Sequence, residues 1–205
     1  MIAIIDYGVG NLFSLSGSLA HLNIESVVTR DPGEINAAER VILPGVGAFG
    51  DAMEKLRAHA LIPVLDRQVQ SGKPLLGICL GMQVLFERGY EYGAHEGLGY
   101  LRGGVHPLAP DIPADLKVPH IGWNSLHLIK PGDPLLANTK EGDYVYYVHS
   151  FYAKGCEESV AAGSGYGAFV PGAVHKNNVY GTQFHPEKSG SAGLGILKAF
   201  CEISA

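Results

Sequence analysis

The 205-residue chain carries 15 Lys plus Arg against 20 Asp plus Glu, a formal net charge of −5, which argues against a phosphate-backbone binder with its basic face. Apolar residues at 46% can bury a core, and 28 Gly with 12 Pro stay below the share of roughly 25–30% that marks disordered chains. No stretch approaches the ~18 consecutive apolar residues of a membrane helix, so neither nucleic acid nor membrane is expected as a partner.

Strand and helix signals alternate from the first residues onward. Ile2 to Ile5 is a short apolar run ended by Asp6-Tyr7-Gly8-Val9-Gly10 and predicts a buried strand. Asn11 is an N-cap candidate for a helix with Leu12, Leu15, Leu19 and Leu22 on one face. Ile24 to Val28 is strand-like, and Arg40 to Leu43 is a strand running into the turn Pro44-Gly45-Val46-Gly47. Helices are expected near Asp51 to Arg57 and Leu61 to Gln70, a buried strand at Pro74 to Ile78, and a helix from Leu80 to Phe86. Beyond Gly99 the pattern changes to short strands: Tyr100 to Val105, Ile121 to Ile129, Tyr144 to Tyr152, Ser159 to Ala162, Gly167 to Val170 and Val179 to Phe184. Gly103 to Pro119 is the expected long loop, and a helix from Ala192 to Glu202 closes the chain. Alternating β and α units with buried strands predict an α/β fold. It is a doubly wound, mostly parallel sheet with helices on both faces and an added β-rich second half. One domain over residues 1–205 is expected.

Gly77-Ile78-Cys79-Leu80-Gly81 has the form G-x-nucleophile-x-G between a predicted strand and a predicted helix. In such an elbow the reactive residue occupies a strained turn that the glycines leave room for. The helix that follows points free N–H groups at the sulfur and at any oxyanion. The same spelling also fits an inert buried cysteine beside two packing glycines. A nucleophilic Cys79 needs a base. Of nine histidines, His21 and His59 read as helix-surface residues, His95 and His106 as turn residues and His127 as an exposed strand residue. His185-Pro186-Glu187 is distinctive. Residues two apart in extended chain face one way, so Glu187 can hydrogen-bond the His185 ring, as the acid of a triad does. Asp6 to Asn11 starts like a dinucleotide fingerprint but has Phe13 where the third glycine belongs. Pro44 to Gly47 can offer N–H groups to an oxyanion, or be an ordinary strand exit.

Gly-Ile-Cys-Leu-Gly-Met-Gln at 77–83 with Gln-Phe-His-Pro-Glu at 183–187 resembles the class I (triad) glutamine amidotransferases. Within them, the runs Asp6 to Leu12, Leu43 to Gly50, Pro119 to Asn124 and Val148 to Ser150 are similar to the glutaminase subunits of imidazole glycerol phosphate synthases. Val46 marks this branch, since other branches usually carry more glycine after the Pro-Gly. The resemblance implies hydrolysis of glutamine to glutamate and ammonia, with Cys79 as nucleophile, His185 as acid and base, and Glu187 orienting it. The oxyanion would be held by Leu80 N–H and one in the turn containing Val46 and Gly47. Gln83, Glu91 and the backbone of His149, Ser150 and Phe151 match positions that hold the ends of the substrate. Phe151 departs from the usual Tyr, which puts a side-chain contact there in doubt but not a backbone one.

The resemblance also implies a separate (β/α)8-barrel cyclase subunit as partner, receiving the ammonia in histidine biosynthesis. Asn11, Trp123, Tyr146 and Lys188 match positions expected at that interface. No cofactor and no metal are expected. Rival readings are a glutaminase serving anthranilate, aminodeoxychorismate or pyridoxal phosphate synthesis, a cysteine hydrolase or peptidase, and a non-catalytic docking module. The Val46 turn and Gly122-Trp123-Asn124 argue against the first, and the intact Cys79, His185 and Glu187 against the last. Cys156 and Cys201 have no elbow and read as structural. Three widely spaced cysteines and an N-terminus without signal-peptide character lead us to expect a cytoplasmic protein.

Overall fold

A computed structural model describes residues 1–204. The first part runs β1 (Ile2–Ile5), α1 (Leu12–His21), β2 (Ser26–Thr29), α2 (Pro32–Ala37), β3 (Arg40–Gly45), α3 (Phe49–Ala58), α4 (Ile62–Gln70), β4 (Leu75–Cys79) and α5 (Leu80–Gln83). The second part runs β5 (Phe86–Gly89), β6 (His95–Glu96), β7 (Leu101–Pro107), β8 (His120–Ser125), β9 (His127–Leu128), β10 (Tyr144–His149), β11 (Phe151–Lys154), β12 (Val160–Tyr166), β13 (Ala168–Lys176), β14 (Val179–Thr182) and α6 (Gly190–Glu202).

Eight strands form the central sheet in the order β2-β1-β3-β4-β14-β13-β12-β9. The first five are parallel and the rest antiparallel, so the sheet is mostly parallel, as expected. Its strands are apolar on both sides because both sides are covered. Ala3, Ile5, Val41, Leu43 and Leu75 enter one core, while the alternating Ile2, Ile4, Ile42, Leu76 and Ile78 enter the other. A two-stranded ribbon, β10-β8, and a four-stranded sheet, β11-β7-β5-β6, complete the β-rich part. Among the described residues no helix is long and apolar enough to cross a membrane.

Several expectations change. The helix predicted for Leu80 to Phe86 is one turn, and Phe86 already begins β5. The run is apolar at nearly every position, so periodicity does not separate a short buried strand from a helix. Helix α2 was not expected; Pro32 in its first turn and the Asp31 carboxylate accepting from Glu34 N–H define its start. The strand predicted for Ile121 to Ile129 breaks between β8 and β9, and that for Tyr144 to Tyr152 breaks at Ser150. The start of the predicted Gly103 to Pro119 loop belongs to β7, and Gly103 N–H is fixed by Glu87 at 2.9 Å.

Register sets the position of the site. Gly45 at the end of β3 pairs with Cys79 at the end of β4, and Thr182 at the end of β14 pairs with Ile78. Three neighbouring parallel strands therefore release their loops at one edge, where α/β sheets bind ligands.

The antiparallel end of the sheet is tied to the rest by an ion pair. His175 Nδ1 of β13 lies 2.7 Å from the buried Asp133 carboxylate. Burial by itself lowers His175, but its hydrogen bonds to Asp133 and to the Asn177 carbonyl, with the charge of Asp133, outweigh it and hold the imidazole above its ordinary value. A folded value above the unfolded one gives stability that is full below about pH 6.5 and is lost as pH rises through the raised value. Denaturant unfolding is expected to find His175→Gln destabilised by about 1–3 kcal/mol at pH 6, with the gap to wild type narrowing at alkaline pH. A gap constant across that range would refute the ionic contribution.

Candidate active site

Cys79 is the last residue of β4, at φ 54° and ψ −109°. A non-glycine residue held there stores about 1–3 kcal/mol of strain. The flanking glycines make the turn possible. A Cβ on Gly77 would lie 2.6 Å from the Gly81 carbonyl oxygen, and one on Gly81 would run into the Leu43 carbonyl oxygen of β3. The following helix is a single buried turn, so the N–H groups of its first residues, which have no partner within the helix, rather than a long helix dipole, are what it offers to the site.

Cys79 is buried, with 6% of the residue exposed. Gln183 Nε2 donates toward its sulfur at 3.7 Å, and the Val148 carbonyl lies 3.9 Å away. His185 comes from the segment after β14 and is held by its backbone: its N–H donates to the Tyr146 carbonyl at 3.0 Å, and its carbonyl accepts from Ser189 Oγ at 2.6 Å. Nδ1 of the ring lies 2.8 Å from Glu187 Oε1, with both side chains at most 3% exposed. The route differs from the extended segment expected from sequence. His185 itself is extended, but Pro186 to Lys188 form a 3-10 turn, and Glu187 reaches back across it.

Burial lowers the His185 pKa, but Cys79 and Glu187 outweigh it and raise the ring to about 9. Nε2 has no hydrogen-bond partner of good geometry, although Cys79 is the strongest influence raising it. The sulfur is therefore near but not yet aligned, as is common for catalytic hydrogen bonds before substrate arrives. A protonated ring beside a cysteine is the setting in which the thiolate, its nucleophilic form, persists. Thiol, imidazole and carboxylate in this order are the parts of an acyl-transfer site.

A cleft of about 410 Å³ opens on Cys79 and His185, with Leu80, Val46, Gly47, Gln83, Glu91 and Lys188 in its walls together with residues 148–151. Every sequence-assigned catalytic, oxyanion and substrate residue except Glu187 lines it. Val46 is exposed, and Gly47 sits at φ +109° with nothing near the place of a Cβ. Glu91 Oε2 accepts the N–H of Phe49 at 2.9 Å, fixing the carboxylate on the start of α3, which has no side-chain cap of its own. Gln83 Nε2 donates to the Phe151 carbonyl at 2.9 Å and to Gln183 Oε1 at 3.0 Å. The Phe151 carbonyl is thus engaged by Gln83, a bond that does not involve its ring.

The break at Ser150 is fixed by a chain of neutral groups that sequence reasoning missed. Asn124 Nδ2 faces His120 Nε2 at 3.4 Å, His120 Nδ1 faces His149 Nε2 at 3.0 Å, and His149 Nδ1 faces the Phe151 carbonyl at 2.9 Å. Burial lowers His120 to about 4, and burial reinforced by the His120 charge lowers His149 to about 3. Both rings are therefore neutral at pH 7, and the partners assign donation from Asn124 through to Phe151. His120 stacks between Tyr147 and Tyr166 at ring-centre distances of 4.7 and 3.9 Å. The signal available in sequence was period two, which turns His120 and Asn124 of β8 and Tyr147 and His149 of β10 to one side.

The opposite side of the same ribbon carries Trp123 and Tyr146, two of the four residues expected at a partner interface. Trp123 pairs with Tyr146, their rings 6.0 Å apart, and Lys188 Nζ lies 5.9 Å from the Tyr146 ring centre. Asn11 caps α1 through Ser14 N–H at 3.4 Å and borders a crevice shared with Pro44, Gly45, His185 and Glu187. Ile121, Trp123 and Tyr144 are all more than half exposed. Asp6 is engaged by Arg30 at 2.6 Å and Gly8 N–H at 3.1 Å. Of the histidines read as incidental, His95 begins β6 and contacts the Glu91 carbonyl at 3.0 Å.

Cys156 and Cys201 are pushed up by burial, to about 12 and about 11. At pH 7.5 iodoacetamide is expected to label Cys79 at least about tenfold faster than either, because only thiolate reacts. Mass spectrometry reads the order directly. His185→Ala is expected to remove the advantage, and uniform labelling of the three would contradict this account of Cys79.

The glutamine amidotransferase class-I family model matches residues 3–202. The chain is 48% identical to an imidazole glycerol phosphate synthase subunit HisH of Oceanobacillus iheyensis, over 99% of both chains. It is 50% identical to the subunit of the same name from Bacillus licheniformis, over 100% of this chain and 97% of the relative. In fold it is similar to a crystal structure described as a glutamine amidotransferase, with TM-score 0.75 and 18% identity over 98% of this chain and 100% of that one. PurLQS from Thermotoga maritima gives TM-score 0.73 at 18% identity, over 98% and 96%. The chain belongs to the class-I glutamine amidotransferases and, within them, to the family of the imidazole glycerol phosphate synthase subunit HisH.

Proposed function

We propose that the chain is the glutaminase subunit of a cytoplasmic imidazole glycerol phosphate synthase and acts as one domain over its whole length. The observation that carries the reading is that Cys79 and the Glu187-paired His185 line the same substrate-sized cleft. Relatives half identical over the full length point to the same chemistry.

In this reading Cys79 thiolate adds to the side-chain amide carbon of glutamine. Negative charge collects on the amide oxygen, where Leu80 N–H and an N–H of the Val46-Gly47 turn receive it. Donors aimed at that oxygen stabilise the charge as it develops. His185 gives its proton to the departing nitrogen, ammonia leaves, and a glutamyl thioester remains. The ring, now neutral, takes a proton from water, which attacks the thioester, and glutamate and the Cys79 thiolate are released. Glu187 holds the ring by Nδ1 throughout and stabilises its charged form. Gln83 Nε2 is already committed to Phe151 and Gln183, so Gln83 Oε1 and the Glu91 carboxylate are the acceptors for the substrate ammonium. The N–H groups of residues 149–151 face its carboxylate.

The ammonia passes to a (β/α)8-barrel cyclase subunit, which docks on the face bearing Trp123, Tyr146 and Lys188 and on the neighbourhood of Asn11. The exposed Ile121, Trp123 and Tyr144 support an interface there, because contiguous exposed apolar residues mark docking surfaces. Lys188 lines the cleft as well as contacting Tyr146, so a partner on this face touches the site itself.

Cys79→Ala is expected to abolish glutamine-dependent product formation by the complex while leaving ammonia-driven synthesis intact. Loss of both activities would count against the assignment. His120→Phe keeps the stacked ring but removes the donor to His149. It is expected to raise KM for glutamine about 5–10-fold, the worth of roughly one hydrogen bond, with kcat nearly unchanged. A purely catalytic loss would refute the binding role of the 149–151 backbone.

A further inference from the structure

The proposed oxyanion turn starts from Gly45, and the structure shows what holds that starting point. Strand β1 ends at Ile5, whereas its neighbour β3 continues to Gly45. Proline suits position 44 because it has no N–H to leave unpaired where β1 has ended. Its carbonyl is met instead by a side chain: Tyr7 Oη donates to Pro44 O at 2.8 Å. The phenol is fully buried, and burial raises its pKa far beyond neutrality, so it is a permanent donor.

Gly45 is packed against the same hydroxyl. A Cβ at this position would lie 2.6 Å from Tyr7 Oη, 2.9 Å from Gly81 N and 3.0 Å from Leu80 Cβ. The hydroxyl of Tyr7 and the first residues after Cys79 therefore grip the Pro44–Gly45 peptide from two sides. Gly10, at φ +114°, closes the remaining side, since a Cβ there would come within 3.2 Å of Pro44 Cβ. Two residues further on, the contrast is complete. Gly47 has open space around it and Val46 is exposed.

We propose that Tyr7 is a positioning residue for the glutaminase reaction: its hydroxyl anchors the Pro44–Gly45 peptide, so that the turn beyond it pivots from a fixed point and its N–H is delivered to the oxyanion. Tyr7 contacts neither substrate nor sulfur in this scheme. It acts through the backbone of β3. The inference rests on the glutaminase reading given above.

The test is Tyr7→Phe in the complex with the cyclase, measured for glutamine-dependent turnover, ammonia-dependent turnover and thermal unfolding. Loss of one oxyanion donor lowers kcat by about 10²–10³-fold, and loosening its support is expected to lower kcat about tenfold. KM for glutamine stays within about twofold and ammonia-dependent synthesis is unchanged. Incorporation of 4-aminophenylalanine at position 7 restores a donor at the same point and is expected to recover most of the lost kcat. 4-Methylphenylalanine, which has similar bulk and no donor, is expected not to do so. That pair makes the comparison even where Tyr7→Phe assembles poorly. An unchanged kcat, or equal behaviour of the two analogues, overturns the role of Tyr7 while Cys79-dependent hydrolysis stands. Absence of any Cys79-dependent glutamine hydrolysis in the wild-type complex overturns the glutaminase reading and this inference with it.

Discussion

The site depends on the close approach of the turn after β4 to the backbone of β3. Gly81 lies against the Leu43 carbonyl so closely that a single methyl group would strike it. That approach allows Cys79 to sit at positive φ at the strand end. It also places the Gly81 nitrogen and the Leu80 side chain beside the Gly45 end of β3. Cys79 ends β4, and the two proposed oxyanion donors directly follow the paired ends of β3 and β4, so the points from which they start are set by ladder hydrogen bonds. Paired backbone of this kind gives each donor a fixed point from which to reach the developing charge.

The β8–β10 ribbon gives one short element two tasks. Its pleat sends His120, Asn124, Tyr147 and His149 inward and Ile121, Trp123, Tyr144 and Tyr146 outward. The inward set fixes the carbonyl of Phe151, where the chain leaves β10 and joins the separate sheet through β11. The outward set forms the proposed docking face. Tyr146 links the two sides through its backbone, because its carbonyl receives the His185 N–H and its own N–H donates to Ser189 Oγ. Pressure on the outer face is therefore one backbone bond away from the imidazole.

The electrostatics divide the buried histidines by their partners. His120, His149 and His185 are all withdrawn from water, and burial disfavours the charged ring in each. His120 and His149 have only neutral partners and each other, and stay neutral. His185 has a carboxylate at 2.8 Å and the cysteine nearby, and is raised instead. A neutral chain suits a scaffold, which must not change with pH. A ring carrying a proton that it can give away suits the acid of a reaction.

Much of this was readable from residues alone. Period and β-branching identify the parallel strands, because buried strands are apolar on both sides whatever surrounds them. The glycines two positions either side of Cys79 point to an elbow, since the steric demand is local. The pairing of Glu187 with His185 was also readable, although through extended chain rather than the 3-10 turn that Pro186 begins. What sequence did not contain were the places where a continuous pattern breaks. The apolar run after Leu80 turns into β5, and the strand from Tyr144 divides at Ser150, because β7 and β8 offer partners that lie far away along the chain. The same holds for Gln183, Ser189, His120 and Tyr7. Each acts through a hydrogen bond to a group whose nearness is a product of packing. Local sequence determined which residues could do chemistry and which strands would be buried. Tertiary structure alone decided which carbonyls and N–H groups those residues would meet, because strand pairing brings together backbone that no local rule connects.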